Sequence, residues 1–272
     1  MNPLALGHHF FDAAGVRLSY LVRGSAPRTV LYLTPRGNGD SSAPPDPSTM
    51  TAAAMADDLD HLRAHLGLDR FPLLAGHSHG GAVALRYAQR HPRRVERLLL
   101  LSPQVMDAAP GLFKEMMARR GDDPTYMAAA KVLMEVAGAG GPRDDAHFRE
   151  MLDRTMVWWF ADAAKADGLR RDMAGPLTSA NPARAYAWRT NRNDGLEENK
   201  LPHIRDAGLV EAETLIVQGE EDSVCSTAGA QAVADGIKGS KIVVLPGLGH
   251  FPWIEGPDEF WRAAEGFVKS DS

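Results

Sequence analysis

The stretch that most constrains this chain is Leu73 to Ala84, where an apolar run meets Gly76-His-Ser-His-Gly80 and continues into a small-residue helical pattern that ends before Pro92. Apolar strand, tight turn at a serine, then helix is the order of a G-x-S-x-G elbow. Glycine at both ends of the pentad predicts close approach of the strand and helix backbones. Ser78 is expected at the apex, with its hydroxyl raised above the sheet. The His79 amide is then a first-turn donor that the helix leaves unpaired, and the helix dipole favours an anion there. A glycine-rich turn occurs in any doubly wound sheet, so the rest of the chain must supply a base and an acid before Ser78 reads as a nucleophile.

At 272 residues the chain suits one large domain or one domain with an inserted module. Its 44% hydrophobic and 24% charged content is that of an ordinary globular protein. A formal net charge of −5 gives no basic footprint, which argues against nucleic acid as a partner. One cysteine, Cys225, allows no internal disulfide and reads as a small buried apolar group. The first residues lack the basic start and long apolar run of a secretion signal, and no apolar run is long enough to cross a bilayer. A cytoplasmic, soluble monomer or homodimer acting on a small molecule is the expectation, with no membrane partner.

Residues 8–23 predict two short strands joined at Asp12-Ala-Ala-Gly15. Thr29 to Thr34 is a near-continuous apolar strand, and Pro35-Arg-Gly-Asn-Gly-Asp-Ser-Ser-Ala-Pro44 follows as a loop. Helix signals run from Ser48 to a stop at Gly67. The elbow comes next, then a buried strand at Val95 to Leu101, and this alternation specifies a parallel sheet flanked by helices. From about residue 104 to 208 the pattern is helical without a convincing strand, before strands return at Glu213 to Gln218 and Lys241 to Leu245. The expected organisation is an α/β core, residues 1–103 and 209–272, carrying a helical cap insertion at 104–208.

That insertion holds Met106, Met116, Met117, Met127, Met134, Met151, Met156 and Met173, together with Trp158, Trp159 and Trp188. Most of these side chains serve as the insertion's own core. Some can also line an adaptable apolar pocket, because methionine fits irregular shapes and tryptophan supplies a rigid wall. Trp158, Trp159 and Trp188, with His77 beside the nucleophile and Phe251 beside the base, are the candidate substrate-binding residues.

A serine hydroxyl needs a base within hydrogen-bond reach, and the base needs an orienting acid. Two late strands each end in a loop that offers one. Asp222 lies in Gly219-Glu-Glu-Asp-Ser, and His250 lies in Gly247-Leu-Gly-His-Phe-Pro. Asp222 would fix the His250 tautomer, and His250 would take the Ser78 proton. Glu220, Glu221 and Asp107 are rival acids. His77 and His79 project from opposite sides of a tight turn with no carboxylate or cysteine cluster beside them, so no metal is expected. Neither a G-x-G-x-x-G nor a P-loop follows a strand, and no cofactor is expected.

Taken together, GHSHGGAVALRYAQRHPRRVERLLLLSP, PRGNGDSSAP, GEEDS and GLGHFPWIEGPDEF resemble the α/β-hydrolase superfamily, closest to proline-iminopeptidase-like and esterase-like members with a helical cap. The resemblance covers the core well and the cap poorly. It implies an α/β-hydrolase fold with nucleophile Ser78, acid Asp222, base His250 and an oxyanion donor from the His79 amide. One departure stands out. Such proteins usually carry a further early strand whose loop gives the second oxyanion donor, and here one strand and one helix are missing from that region. Either the chain is a shortened variant, or the loop around Arg36 and Gly37 supplies that donor, or the oxyanion hole is incomplete.

The leading function is a serine hydrolase that forms an acyl-enzyme with a small, hydrophobic ester or lactone. Two alternatives stand beside it. An aminopeptidase would need cap carboxylates for a free α-amino group, and Glu197-Glu198 are candidates, whereas Arg189 and Arg192 would suit an acidic substrate. A ligand-binding or biosynthetic protein that kept the triad but lost efficient hydrolysis is favoured by the missing strand.

Overall fold

In the computed structural model, residues 2–25, 28–173 and 184–269 are described. The first strands, β1 (Gly7–Ala13), β2 (Val16–Ser25) and β3 (Arg28–Thr34), form an antiparallel sheet in the order β1-β2-β3. β1 and β2 are joined by two residues, Ala14 and Gly15, with φ of 48° and 76°. Two consecutive left-handed residues make the primed turn whose twist matches a hairpin. A second sheet, β4 (Phe71–His77), β5 (Val95–Leu101), β6 (Glu213–Gly219) and β7 (Lys241–Leu245), is wholly parallel.

Helices cover both faces of the parallel sheet because its strands are apolar on both faces. On one side Leu98, Leu100 and Ile216 pack with Met55 of α1 (Ala52–His65), Val83 and Leu85 of α2 (His79–Arg90) and Val233 of the helix after β6. On the other, Leu99, Leu215, Val217 and Leu245 meet Phe260 and Ala264 of the C-terminal helix. The period-2 alternation along Leu98-Leu99-Leu100 sends neighbours to opposite cores. Leu62 of α1 and Leu66 just after it also cover Leu18, Tyr20 and Val22 of the antiparallel sheet, so α1 ties the two sheets together.

Between β5 and β6 the described chain is helical, as its pattern predicts. It contains α3 (Leu112–Arg120), α4 (Pro124–Gly138), α5 (Asp145–Thr155), α6 (Ala166–Met173) and α7 (Trp188–Asp194). After β6 come α8 (Thr227–Gly236), the short α9 (Pro252–Glu255) and α10 (Pro257–Lys269). Among the described residues no helix is long and apolar enough to cross a membrane.

The early region is where the architecture departs from one continuous sheet. β3 ends the antiparallel sheet and β4 ends the parallel one, and among the described residues no strand is paired between them. The missing strand expected from the sequence corresponds to this seam.

Candidate active site

The elbow forms where β4 runs into α2. Ser78 has φ 53° and ψ −122°, a conformation that L residues rarely adopt and that surrounding structure must hold in place. The glycines explain how. A Cβ on Gly76 would come within 2.2 Å of the Gly80 carbonyl oxygen, and one on Gly81 within 2.9 Å of Pro103. The helix therefore crosses the strand end at backbone contact. The Ser78 amide donates to the Leu101 carbonyl, while the Ser78 carbonyl accepts from the amides of Gly81, Ala82 and Gln104.

A buried histidine–carboxylate pair lies nearby. His250 Nδ1 is 2.8 Å from Asp222 Oδ2, and both side chains are buried. The other Asp222 oxygen accepts from the amides of Val224 and Cys225 at 2.8 and 2.9 Å, and Gln218 Nε2 donates to Oδ2 at 3.2 Å. Burial pushes the Asp222 carboxyl up, but the His250 ring and the two amides outweigh it and hold the pKa below the ordinary carboxylate value. Asp222 is thus an ionised acceptor fixed to one ring nitrogen, which leaves the second nitrogen available as a base.

Cys225 joins this cluster, although its sequence position suggested only a small buried group near the acid. Its sulfur, an Asp222 oxygen and a His250 nitrogen lie within 4.8 Å of one another. Burial first, and the Asp222 charge second, push the thiol well above its ordinary pKa, while the neighbouring Ser78 hydroxyl pulls the other way. At neutral pH the sulfur is a thiol, and Ser78, His250 and Asp222 are gathered around it.

The loop carrying His250 is built into the insertion. The His250 amide donates to the Trp159 carbonyl at 2.8 Å. Glu255 Oε1 accepts from Gly249 at 2.7 Å, and Oε2 accepts from Ala161 at 2.8 Å. His77 Nε2 donates to the His250 carbonyl at 2.9 Å, its ring centroid 4.6 Å from that of His250. Burial and the adjacent His250 lower the His77 pKa to about 3, so it is a neutral donor behind the His250 ring. The elbow is latched similarly. His79 Nε2 is 2.9 Å from Asp194 Oδ2, and Asp194 also accepts the Ala52 amide at the start of α1.

The other sequence candidates are dispersed. Trp158 is buried in a cluster with Met116 and Tyr126, and its carbonyl accepts from Arg120 and Ser223. Trp159 and Phe251 pack together, with Phe251 stacked on Phe160. Trp188 lies against Gly141, Phe148 and the α4–α5 cluster. Among the rival acids, Asp107 accepts from the amides of Ile204 and Arg205, Glu220 from Gly247, and Glu221 pairs with Arg119. Glu197 pairs with Lys200 on the surface, Glu198 is also exposed, and Arg189 lies over the Tyr186 ring.

The early loop is likewise engaged. The Gly37 amide donates to the Ser42 carbonyl, and the Arg36 guanidinium is bidentate on Asp58. Asp194 and Glu255 carried no motif signal, because their partners are backbone amides or a residue far away in the sequence, and Gln218, four residues before Asp222, is of a type that marks no role by itself.

A doubly covered parallel sheet, a strained serine at a strand–helix elbow and a buried His–Asp pair on later loops define a capped α/β hydrolase. The sequence matches the alpha/beta hydrolase fold family over residues 25–257, so the chain belongs to that family and is a hydrolase. It is similar to a proline iminopeptidase of Lactobacillus helveticus, 28% identical over 264 residues, which cover 93% of this chain and 82% of the relative. Among solved structures it is similar to a hydrolase from Pseudomonas aeruginosa PA01, with TM-score 0.67 and 21% identity over 97% of this chain and 98% of that one. It is also similar to the enol-lactonase from Burkholderia xenovorans LB400, with TM-score 0.65 and 19% identity over 96% of this chain and all of that one.

Proposed function

We propose that this chain is a serine hydrolase that cleaves a small, hydrophobic ester or lactone through an acyl-enzyme on Ser78. The observation carrying this reading is the buried 2.8 Å pair between His250 and Asp222 beside the strained Ser78. Ser78 turns from the Cys225 thiol to the free nitrogen of His250, which takes its proton as the oxygen attacks the carbonyl. The oxyanion forms against the His79 amide. His250 then protonates the leaving group, and water repeats the cycle with His250 as base.

With the Gly37 amide bound to Ser42, the oxyanion hole rests on the first turn of α2. A hole short of one donor slows turnover by on the order of 10²–10³. Slow hydrolysis is therefore the expected phenotype.

A second reading, an aminopeptidase, is favoured by the similarity to proline iminopeptidases. Fluorophosphonate labelling tests the mechanism common to both. Labelling is expected on Ser78 and lost in Ser78→Ala with folding intact. A folded wild-type protein that resists the probe would instead favour a non-hydrolytic role. A panel of p-nitrophenyl esters, lactones and aminoacyl amides then separates the two hydrolytic readings.

A further inference from the structure

The seam between β3 and β4 is a cavity of about 570 Å³. A pocket above one face of a strand touches every second residue, because side chains alternate. This one touches five consecutive residues of β3, Thr29 to Leu33, and five of β4, Phe71 to Ala75. It therefore runs along the two strand edges. Its remaining wall is mainly Leu59 and Leu62 of α1, Leu66 just after that helix and Val83 and Ala84 of α2, with the Arg36-paired carboxylate of Asp58 among them, and His79 and Gly80 of the elbow line it as well.

β3 and β4 are end strands of their sheets, so each turns toward the slot the N–H and C=O groups that its paired edge does not use, save that Pro72 of β4 offers no N–H. The side walls are thus polar and directional, and the helix side is apolar apart from Asp58. An alkyl chain would satisfy the leucines but leave buried ladder groups unpaired, which is costly. A sugar would satisfy the ladders and waste the apolar wall. An extended peptide matches both, offering N–H and C=O groups toward each edge and side chains toward the helices.

Building on the serine-hydrolase reading, and extending its acyl group from a small molecule to a peptide-borne one, we propose that this slot is a substrate subsite for an extended peptide segment. The segment lies as a strand between β3 and β4, with apolar residues at alternate positions facing α1 and α2. Continuity with His79 and Gly80 leads its reacting end to Ser78.

The probe is an acetylated peptide amide alternating Thr and Val, about seven residues long to match an ordinary strand. It is titrated calorimetrically and tested as an inhibitor of short-ester hydrolysis, with its dipeptide as reference. We expect competitive inhibition at least about tenfold tighter than the dipeptide. Two analogues, N-methylated at odd or at even positions, should each lose about that gain, since successive N–H groups face opposite edges.

Equal affinity for dipeptide and longer peptide overturns the proposal, as does indifference to either methylation pattern or binding that does not compete with ester. Inhibition that follows the length of a fatty acid chain instead makes the slot an alkyl site and also overturns it. Calorimetry needs no turnover. Methylation-sensitive binding by a protein that never labels at Ser78 would therefore uphold the strand site and refute the hydrolase reading.

Discussion

At the scale of single residues, the site depends on hydrogen bonds that each fix one atom. Asp222→Asn keeps the shape but presents an amide to His250, which favours the wrong tautomer. kcat should fall by about 10⁴-fold, as the same change does in a serine triad, with secondary structure unchanged by circular dichroism. Gly249 has no room for a methyl group, since a Cβ there would meet Glu255 Oε1 at 2.6 Å and the Trp159 carbonyl at 2.7 Å. Gly249→Ala should displace the His250 loop and lower kcat more than it raises KM. The buried histidines set an acid limit on stability. Burial lowers His77 to about 3 and His203 to about 4, so below their ordinary 6.5 the unfolded chain takes up protons first. Stability is full above pH 6.5 and falls below it by about 1.4 kcal/mol per pH unit for each histidine. Urea unfolding at pH 7.5, 6.5 and 5.5 checks this, and His77→Gln should flatten the decline.

At the scale of elements, the helical insertion holds the His250 loop and the Ser78 elbow rather than merely covering them. Glu255 joins the His250 loop to the amide of Ala161, and Asp194 at the end of α7 joins His79 to the start of α1. Asp194→Ala leaves the buried Ala52 amide and the His79 ring without their acceptor. It should destabilise the fold by about 1–3 kcal/mol in denaturant titration, while Glu259→Gln on the exposed face of α10 should change nothing measurable. The helices of the insertion were legible from their 3.6-residue periodicity, and the elbow from its glycines. The latches were not, because a carboxylate that accepts backbone amides across about a hundred residues leaves no local pattern. Cys225 was legible as a small buried group, but its place beside Ser78 depends on how the loop after β6 folds over the elbow.

At the scale of the whole molecule, the split sheet is the feature with most consequence. Its two open edges predict that slot-facing amides of Thr29 to Leu33 and Phe71 to Ala75 exchange with solvent faster than those of Leu98 to Leu100, which are paired on both sides. Hydrogen exchange resolved by residue tests this, and equal protection would show the edges to be covered. The sequence by itself determined the α/β alternation, the elbow, the helical insertion and the order Ser78, Asp222, His250. These are local signals, carried by periodicity, turn residues and strand ends. Tertiary structure alone decided that Trp158 and Trp188 belong to helical cores and that Gly37 directs its amide to Ser42. It also decided that the absent strand leaves an edge-lined slot beginning at the Ser78 elbow. Each of these depends on which distant backbone or side chain arrives at a given point, and packing fixes that only once the whole chain has folded.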